Sequence, residues 1–298
     1  MKKTIIIIFN IIFLFSCSSG NKIIEKDLSK DKKVIYTSFY PIYFVVKSLI
    51  GNESEVINIV PNGGEPHEYE PNLRQIGEMK KADLIIMNGL GIESYENKLR
   101  NSLTNINFFI IGNNIKNLLK LEKNQEVYGN IDPHIWLSPK MYLDMSNLLI
   151  IELEKNGYKN LDKSIITKLE NLDKDYSAGL KNCFRKEIIT SHKAFGYLAR
   201  DYGFVQYAIF GISPEEEPSV KSIADTIDLI KKQKLKYIFS ENYISPKFAN
   251  TIKNETQVEV LNLNPVETLS DSEKKSGENY ISIMQRNLEL LKKGLECK

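Results

Sequence analysis

The chain has 298 residues, 42% hydrophobic and 26% charged, with 40 Lys and Arg against 38 Asp and Glu and a formal net charge of +2. This balance excludes a disordered chain, and without a basic stripe it argues against a nucleic-acid partner. The length suits two domains.

The first twenty residues, MKKTIIIIFNIIFLFSCSSG, hold two lysines, an apolar run from Ile5 to Phe15, then Ser16 and Cys17. The run is too short to span a bilayer as a helix and reads as a secretory signal over residues 1–16. The small residue and cysteine that end it resemble the lipobox of bacterial lipoproteins, although Phe15 is bulky for its place. Cys17 is therefore expected to carry lipid, with residues 17–32 as a polar flexible tether that leaves the body exported and lipid-anchored at the bacterial membrane. The alternative is an uncleaved anchor helix. Removing residues 1–16 takes away Lys2 and Lys3 and leaves 38 basic against 38 acidic residues.

Next, residues 33–158 alternate strand-like and helix-like stretches: VIYT, then a helical run, then VINIV before a Pro/Gly turn, ADLIIMNG and INFFIIG. The pattern restarts over 185–298 with EIITS, VQYAIFG, LKYIFS and VEVLNLN. Alternation at this spacing predicts an α/β fold of two lobes, each with a mostly parallel sheet flanked by helices. Between them, Ile165, Leu169, Leu172, Tyr176 and Leu180 form a helical stripe. The spacing predicts one long joining helix over 159–184, its core at 161–183 and about 34 Å long. In the second lobe, Val220, Ile223, Ile227 and Ile230 share a helical face after Ser219 as N-cap. Tyr280, Met284, Leu288, Leu291 and Leu295 mark the buried face of a last helix beginning near Glu278. An exported chain with Cys183 and Cys297 left over either pairs them or keeps two buried thiols. Both cysteines end predicted helices of the second lobe, which brings pairing within reach.

Only three histidines occur, His67, His134 and His192, and each is read as following a strand or the turn after one. In open α/β sheets, ligands bind beyond the carboxyl ends of the strands. Two lobes facing each other by those ends would bring the three imidazoles together. Neutral imidazole is the commonest metal ligand, and three of them suit zinc and other first-row divalent ions. The local HxxxH spacing of zincins is absent, so such a site would be assembled by the fold. Glu65, Glu68, Glu70 and Asp132 could orient imidazoles, with Glu68 and Glu70 better read as solvated turn residues. Trp136 and Pro139 read as packing and helix-start residues.

The stretches VPNGGEPHEYEP, DPHIWLSPK, SHKAFGYLARDYGF, GISPEEEPS and YIFSEN, in this order, resemble the metal-binding solute-binding proteins of bacterial ABC importers, the TroA/ZnuA-like group for zinc and manganese. The resemblance spans about residues 33–298. It implies two α/β lobes joined by a long helix, a metal held between them by His67, His134 and His192, and delivery of that metal to an ABC permease. The family's last ligand is often an aspartate in a loop before the C-terminal helix. Asp271 stands in the matching place, with Glu267 and Glu241 as rivals.

Two departures bear on the cargo. The His-rich loop of many zinc-specific members is missing, whereas His192 stands where manganese-preferring members often have a carboxylate. Zn2+ is expected as the transported ligand, with Mn2+ as the alternative. The chain is expected to be a monomer and not an enzyme. The other readings are a zinc-dependent hydrolase and a surface adhesin. A carboxylate in the fourth position would close the site against catalysis, and a water beside a general base would open it.

Overall fold

The computed structural model describes residues 32–120, 131–215, 218–241 and 246–298. The expected signal segment, Cys17 and all of the expected tether but its last residue lie outside the described residues. Among the described residues no helix is long and apolar enough to cross a membrane.

The first lobe carries four strands: β1 (Val34–Thr37), β2 (Glu55–Asn58), β3 (Leu84–Met87) and β4 (Phe108–Ile110). They pair in the order β2-β1-β3-β4, all parallel. The second lobe repeats the plan with β5 (Glu187–Thr190), β6 (Val205–Ala208), β7 (Tyr237–Ser240) and β8 (Glu259–Asn262), again parallel and in the order β6-β5-β7-β8. Parallel pairing needs a crossover for every connection. The crossovers are α1 (Tyr40–Ile50), α2 (Leu73–Met79) and α3 (Glu96–Ser102) in the first lobe. In the second lobe α6 (Gly196–Tyr202), α7 (Val220–Gln233) and α8 (Pro246–Thr256) do the same. The central strand β3 is LIIM and wholly buried, as a strand covered on both faces must be.

Two helices run between the lobes. The first, α4 (Pro139–Lys155), begins with Ser138 as N-cap and Pro139 in its first turn, matching the helix-start reading of Pro139. The second, α5 (Ser164–Gly179), buries Ile165, Leu169, Leu172 and Tyr176, the stripe seen in the sequence. It is shorter than the helix expected over 161–183: sixteen residues, or about 24 Å. At its start the Asp162 amide is committed to the Leu49 carbonyl at 2.7 Å, while its side chain accepts from the Ser164 amide at 2.9 Å. At its end residues 182–185 pair with the C-terminus, through Phe184 N to Glu296 O and Lys298 N to Asn182 O. Cys183 and Cys297 are joined there by a disulfide.

The last elements are α9 (Asp271–Lys275) and α10 (Tyr280–Gly294). Asn279 caps α10, which buries Tyr280, Ile283, Met284, Asn287, Leu288 and Leu291. In α7 the predicted face shifts: Ile230 is buried, Ile223 and Ile227 pack beside it, but Val220 is 86% exposed. Val220 is the first helical residue, where Ser219 turns the chain in from solvent. One apolar core runs through both lobes, from Ile35 and Val46 through Leu149, Leu169 and Tyr176 to Met284 and Leu291. Each sheet has a separate smaller cluster on its outer face.

Candidate metal centre

Loops at the carboxyl ends of the strands carry most of the site. His192 stands two residues beyond β5, Glu241 directly beyond β7, Glu267 five beyond β8, and His67 in the longer loop after β2. His134 differs from the sequence reading. It follows an isolated bridge between Lys120 and Ile131 and opens the 3-10 turn Ile135–Leu137 that leads into α4.

The fold gathers His67, His134, His192 and Glu267, each offering one ligand atom, with those atoms all within 4.8 Å of one another. Glu267 Oε1 lies 3.7 Å from His67 Nε2, 3.8 Å from His134 Nε2 and 3.6 Å from His192 Nε2. All four residues are at most 4% exposed. The three edges from the carboxylate oxygen are a little wider than the roughly 3.3–3.6 Å that separates two donors around a tetrahedral zinc, so the cluster is of the size that one such ion would draw together. His134 Nε2, His192 Nε2 and Glu267 Oε1 are buried with no hydrogen-bond partner among the described residues. Native interiors rarely leave such atoms orphaned. A shared cation would satisfy all three, so the residues present fit a metal.

Two of the three rings face a second group behind them. The His134 Nδ1 lies 2.9 Å from Asp132 Oδ1, and the His134 amide donates to the same oxygen at 2.9 Å. A proton on Nδ1 directed at Asp132 leaves the Nε2 lone pair facing the centre. Asp132 is hemmed in: a Cβ on Gly196 would come within 2.7 Å of its Oδ2. His192 Nδ1 lies 2.5 Å from Glu241 Oε2, so Glu241, a rival for the fourth corner, stands behind the His192 ring instead. Glu65 accepts from the His67 amide at 2.9 Å. Glu68 and Glu70 are exposed, and Glu70 pairs with Lys98.

The electrostatics follow from burial and these neighbours. Burial lowers His134 below the ordinary imidazole value, and Asp132 offsets only part of it. Burial would also lower His192, but Glu241 and Glu267 outweigh it and hold that ring well above the usual range. Burial would raise Glu267, but contact with His192 and His67 outweighs it and keeps the carboxylate ionised. Burial and the nearby Glu267 push Glu65 up to about 8.

Asp271, expected as the fourth corner, is not in the cluster. It is exposed in the first turn of α9, where Ser270 is the N-cap and Glu273 closes a capping box. An acid there complements the helix dipole. Glu267 occupies the corner because its turn is pinned from three sides. Gly63 N donates to Thr268 Oγ1 at 2.8 Å and to the Leu269 carbonyl at 3.0 Å. Asn287 of α10 donates to the Asn264 carbonyl at 2.6 Å and accepts from its amide at 3.0 Å. Asn264 in turn accepts from the Val266 amide at 2.7 Å. Val266 has φ +55°, a left-handed conformation that β-branched residues avoid. The sequence signal for Glu267 was available: Ser270 and Glu273 spell a helix start, which assigns Asp271 to a helix and leaves Glu267 as the acid of the loop.

A family model described as zinc-uptake complex component A, periplasmic (ZnuA), matches residues 35–294. The chain is 33% identical over 311 residues to the zinc-binding lipoprotein AdcA of Streptococcus pneumoniae, covering 98% of this chain and 61% of that protein. It thus spans about three fifths of that relative's length. It is also 33% identical over 305 residues to the high-affinity zinc uptake system protein ZnuA of Bacillus subtilis, covering 96% and 95% of the two chains. Among solved structures, the Zn(II)-bound ZnuA-like domain of Streptococcus pneumoniae AdcA is similar with a TM-score of 0.75 and 34% identity, covering 89% of this chain and all of that one.

Proposed function

The chain belongs to the ZnuA family, and on that premise we propose that it is an extracytoplasmic binding protein that captures Zn2+ between its lobes and passes it to an ABC permease. His67, His134 and His192 bind through Nε2 and Glu267 through Oε1. The observation that carries this reading is the single carboxylate oxygen 3.6–3.8 Å from three buried imidazole nitrogens. Asp132 and Glu241 orient two of the rings and stay out of the metal's immediate shell.

Zinc is favoured over manganese by the ligand set, since three imidazoles bind Zn2+ more tightly than Mn2+ in the Irving–Williams order. The zinc named for both curated relatives supports the same choice. Against the hydrolase reading, Glu267 fills the fourth corner, and a four-ligand buried site leaves no position for an attacking water. Cys17 is proposed as the lipid attachment that keeps the protein beside its permease. The AdcA relative, itself called a lipoprotein, supports this.

The test is elemental analysis of protein purified without added metal, followed by competition between zinc and manganese. One zinc per chain and displacement of manganese by zinc are expected, with binding strongly weakened in each of His67→Ala, His134→Ala and His192→Ala. Preferential retention of manganese would overturn the cargo. A histidine variant with undiminished affinity would remove that residue from the site. Cys17→Ala should shift the protein out of the membrane fraction, and continued membrane association would refute the anchor.

A further inference from the structure

Trp136 is the sole tryptophan of the chain and is completely buried. It stands two residues beyond His134, with its ring centroid 5.2 Å from that imidazole and edge-on to Phe39 at 4.8 Å. Its indole N–H donates to the Pro265 carbonyl at 2.8 Å. Pro265 is two residues before Glu267. One side chain therefore spans from the segment carrying a nitrogen corner to the turn carrying the oxygen corner. The backbone of Trp136 is held separately, since the Tyr280 hydroxyl of α10 donates to its carbonyl. At the far end, Pro265 has no N–H, so its carbonyl is its one backbone group for hydrogen bonding. The next residue is Val266 in its left-handed conformation. A residue in such a conformation persists only where its surroundings over-determine it, and here the peptide unit joining Pro265 to Val266 has two groups to hold, the Val266 N–H and the Pro265 carbonyl. Asn264 holds the first, and the indole is placed to hold the second.

We propose that Trp136 is a positioning residue for the metal centre: by holding the Pro265 carbonyl, its indole N–H sets how far Glu267 Oε1 stands from His134 Nε2. The inference deepens the metal-binding reading above and rests on it. Trp136→Phe keeps a ring against Phe39 and His134 and removes only the donor and the second ring. Tyr176→Phe is the matched comparison. It removes a buried hydroxyl that donates to the Met284 carbonyl at 2.7 Å between α5 and α10, away from the ligands.

Full-length wild type and both variants are titrated with Zn2+ against a chelator and with Co2+, whose visible bands report ligand number and geometry. Trp136→Phe should bind zinc about 10- to 100-fold more weakly, the usual effect of losing a group that orients a ligand, and should show weaker, shifted cobalt bands. Tyr176→Phe should melt at a lower temperature but bind both metals as wild type does. Because the tryptophan is unique, biosynthetic replacement by its benzothienyl analogue, with sulfur in place of N–H, changes this one site. It should reproduce the Trp136→Phe result, and it serves alone should that variant not fold. Wild-type affinity and cobalt bands in both forms would overturn the proposal. So would Tyr176→Phe weakening zinc as much as Trp136→Phe, which would make the effect a general loosening of the core. A wild type that binds no zinc overturns this inference and the functional reading together, and is told apart by that result.

Discussion

Asn287→Ala should damage stability and metal binding together. The side chain sits in α10 at 1% exposure and makes two hydrogen bonds to the backbone of Asn264, one at 2.6 Å and one at 3.0 Å. Asn264 is itself only 3% exposed, so water cannot replace the lost partner at either group. A buried donor or acceptor left unsatisfied costs about 1–3 kcal/mol, so two orphans cost roughly 3 kcal/mol at the lower-middle of that range. For a chain of this size each kcal/mol lowers Tm by about 2–4 °C. The zinc-free variant should therefore melt about 6–12 °C below wild type. The second effect travels along the turn: Asn264 holds the Val266 amide, and Val266 precedes Glu267. A freed Asn264 lets Val266 relax and moves the carboxylate, so zinc affinity should fall about tenfold or more. Thermal unfolding in chelator gives the first quantity, and chelator competition the second. A variant that melts within about 2–4 °C of wild type and binds zinc unchanged would refute the reasoning.

Glu267→Gln should weaken zinc binding strongly while Asp271→Asn leaves it unchanged; equal losses in the two, by chelator competition, would return Asp271 to the site. Reducing the Cys183–Cys297 bond, which closes a 114-residue separation, should cost about 5 kcal/mol by loop-closure entropy without altering zinc affinity, and an unchanged Tm after reduction would sink the estimate. Zinc binding should release protons, because the raised His192 holds one in the zinc-free protein; calorimetry in buffers of different ionisation enthalpy should give buffer-dependent heats, and buffer-independent heats would contradict this. The zinc-free protein should also lose stability as pH rises. His192 is raised, so its contribution is full below the ordinary imidazole value of about 6.5 and fades as pH climbs through its higher folded value. Glu65, raised to about 8, acts in the same sense because its protonated form favours the fold up to that pH. A zinc-free Tm that stays level or rises between neutral and alkaline pH would refute the assignment.

The parts of the site legible in the sequence are those fixed by residue type. The three histidines stand out because there are no others, and Asp132 because it is two residues from one of them. The two parallel sheets show in short apolar runs separated by helical periods, and the face of α5 in Ile165, Leu169, Leu172 and Tyr176. What escaped depends on competition between neighbours. In the sequence Asp271 and Glu267 read alike, as acids in a polar stretch before the last helix, and only the capping box at Ser270 and Glu273 separates them. The ends of α5 are decided by distant partners, Leu49 at one and the C-terminal strand-like pairing at the other, which periodicity cannot see. Val220 continues an apolar stripe in sequence but falls on the first turn, beyond the reach of the core. His134, which the sequence puts after a short turn, opens a 3-10 turn that periodicity does not mark.

The single core that threads α1, α4, α5 and α10 bears on how such a protein can be altered by recombination. Its lobes repeat one strand order, which invites their exchange between relatives as interchangeable modules. Yet the surface each lobe would present to a new partner is the interior itself, already shaped by Leu49, Leu149, Leu169, Tyr176 and Leu291 together. A chimera cut between α4 and α5 would have to match side-chain volumes across the whole seam. Substitutions on the outer faces of the two sheets, each with its own small cluster, carry no such demand. Divergence among relatives should therefore accumulate on those outer layers, while the seam changes only in compensating sets.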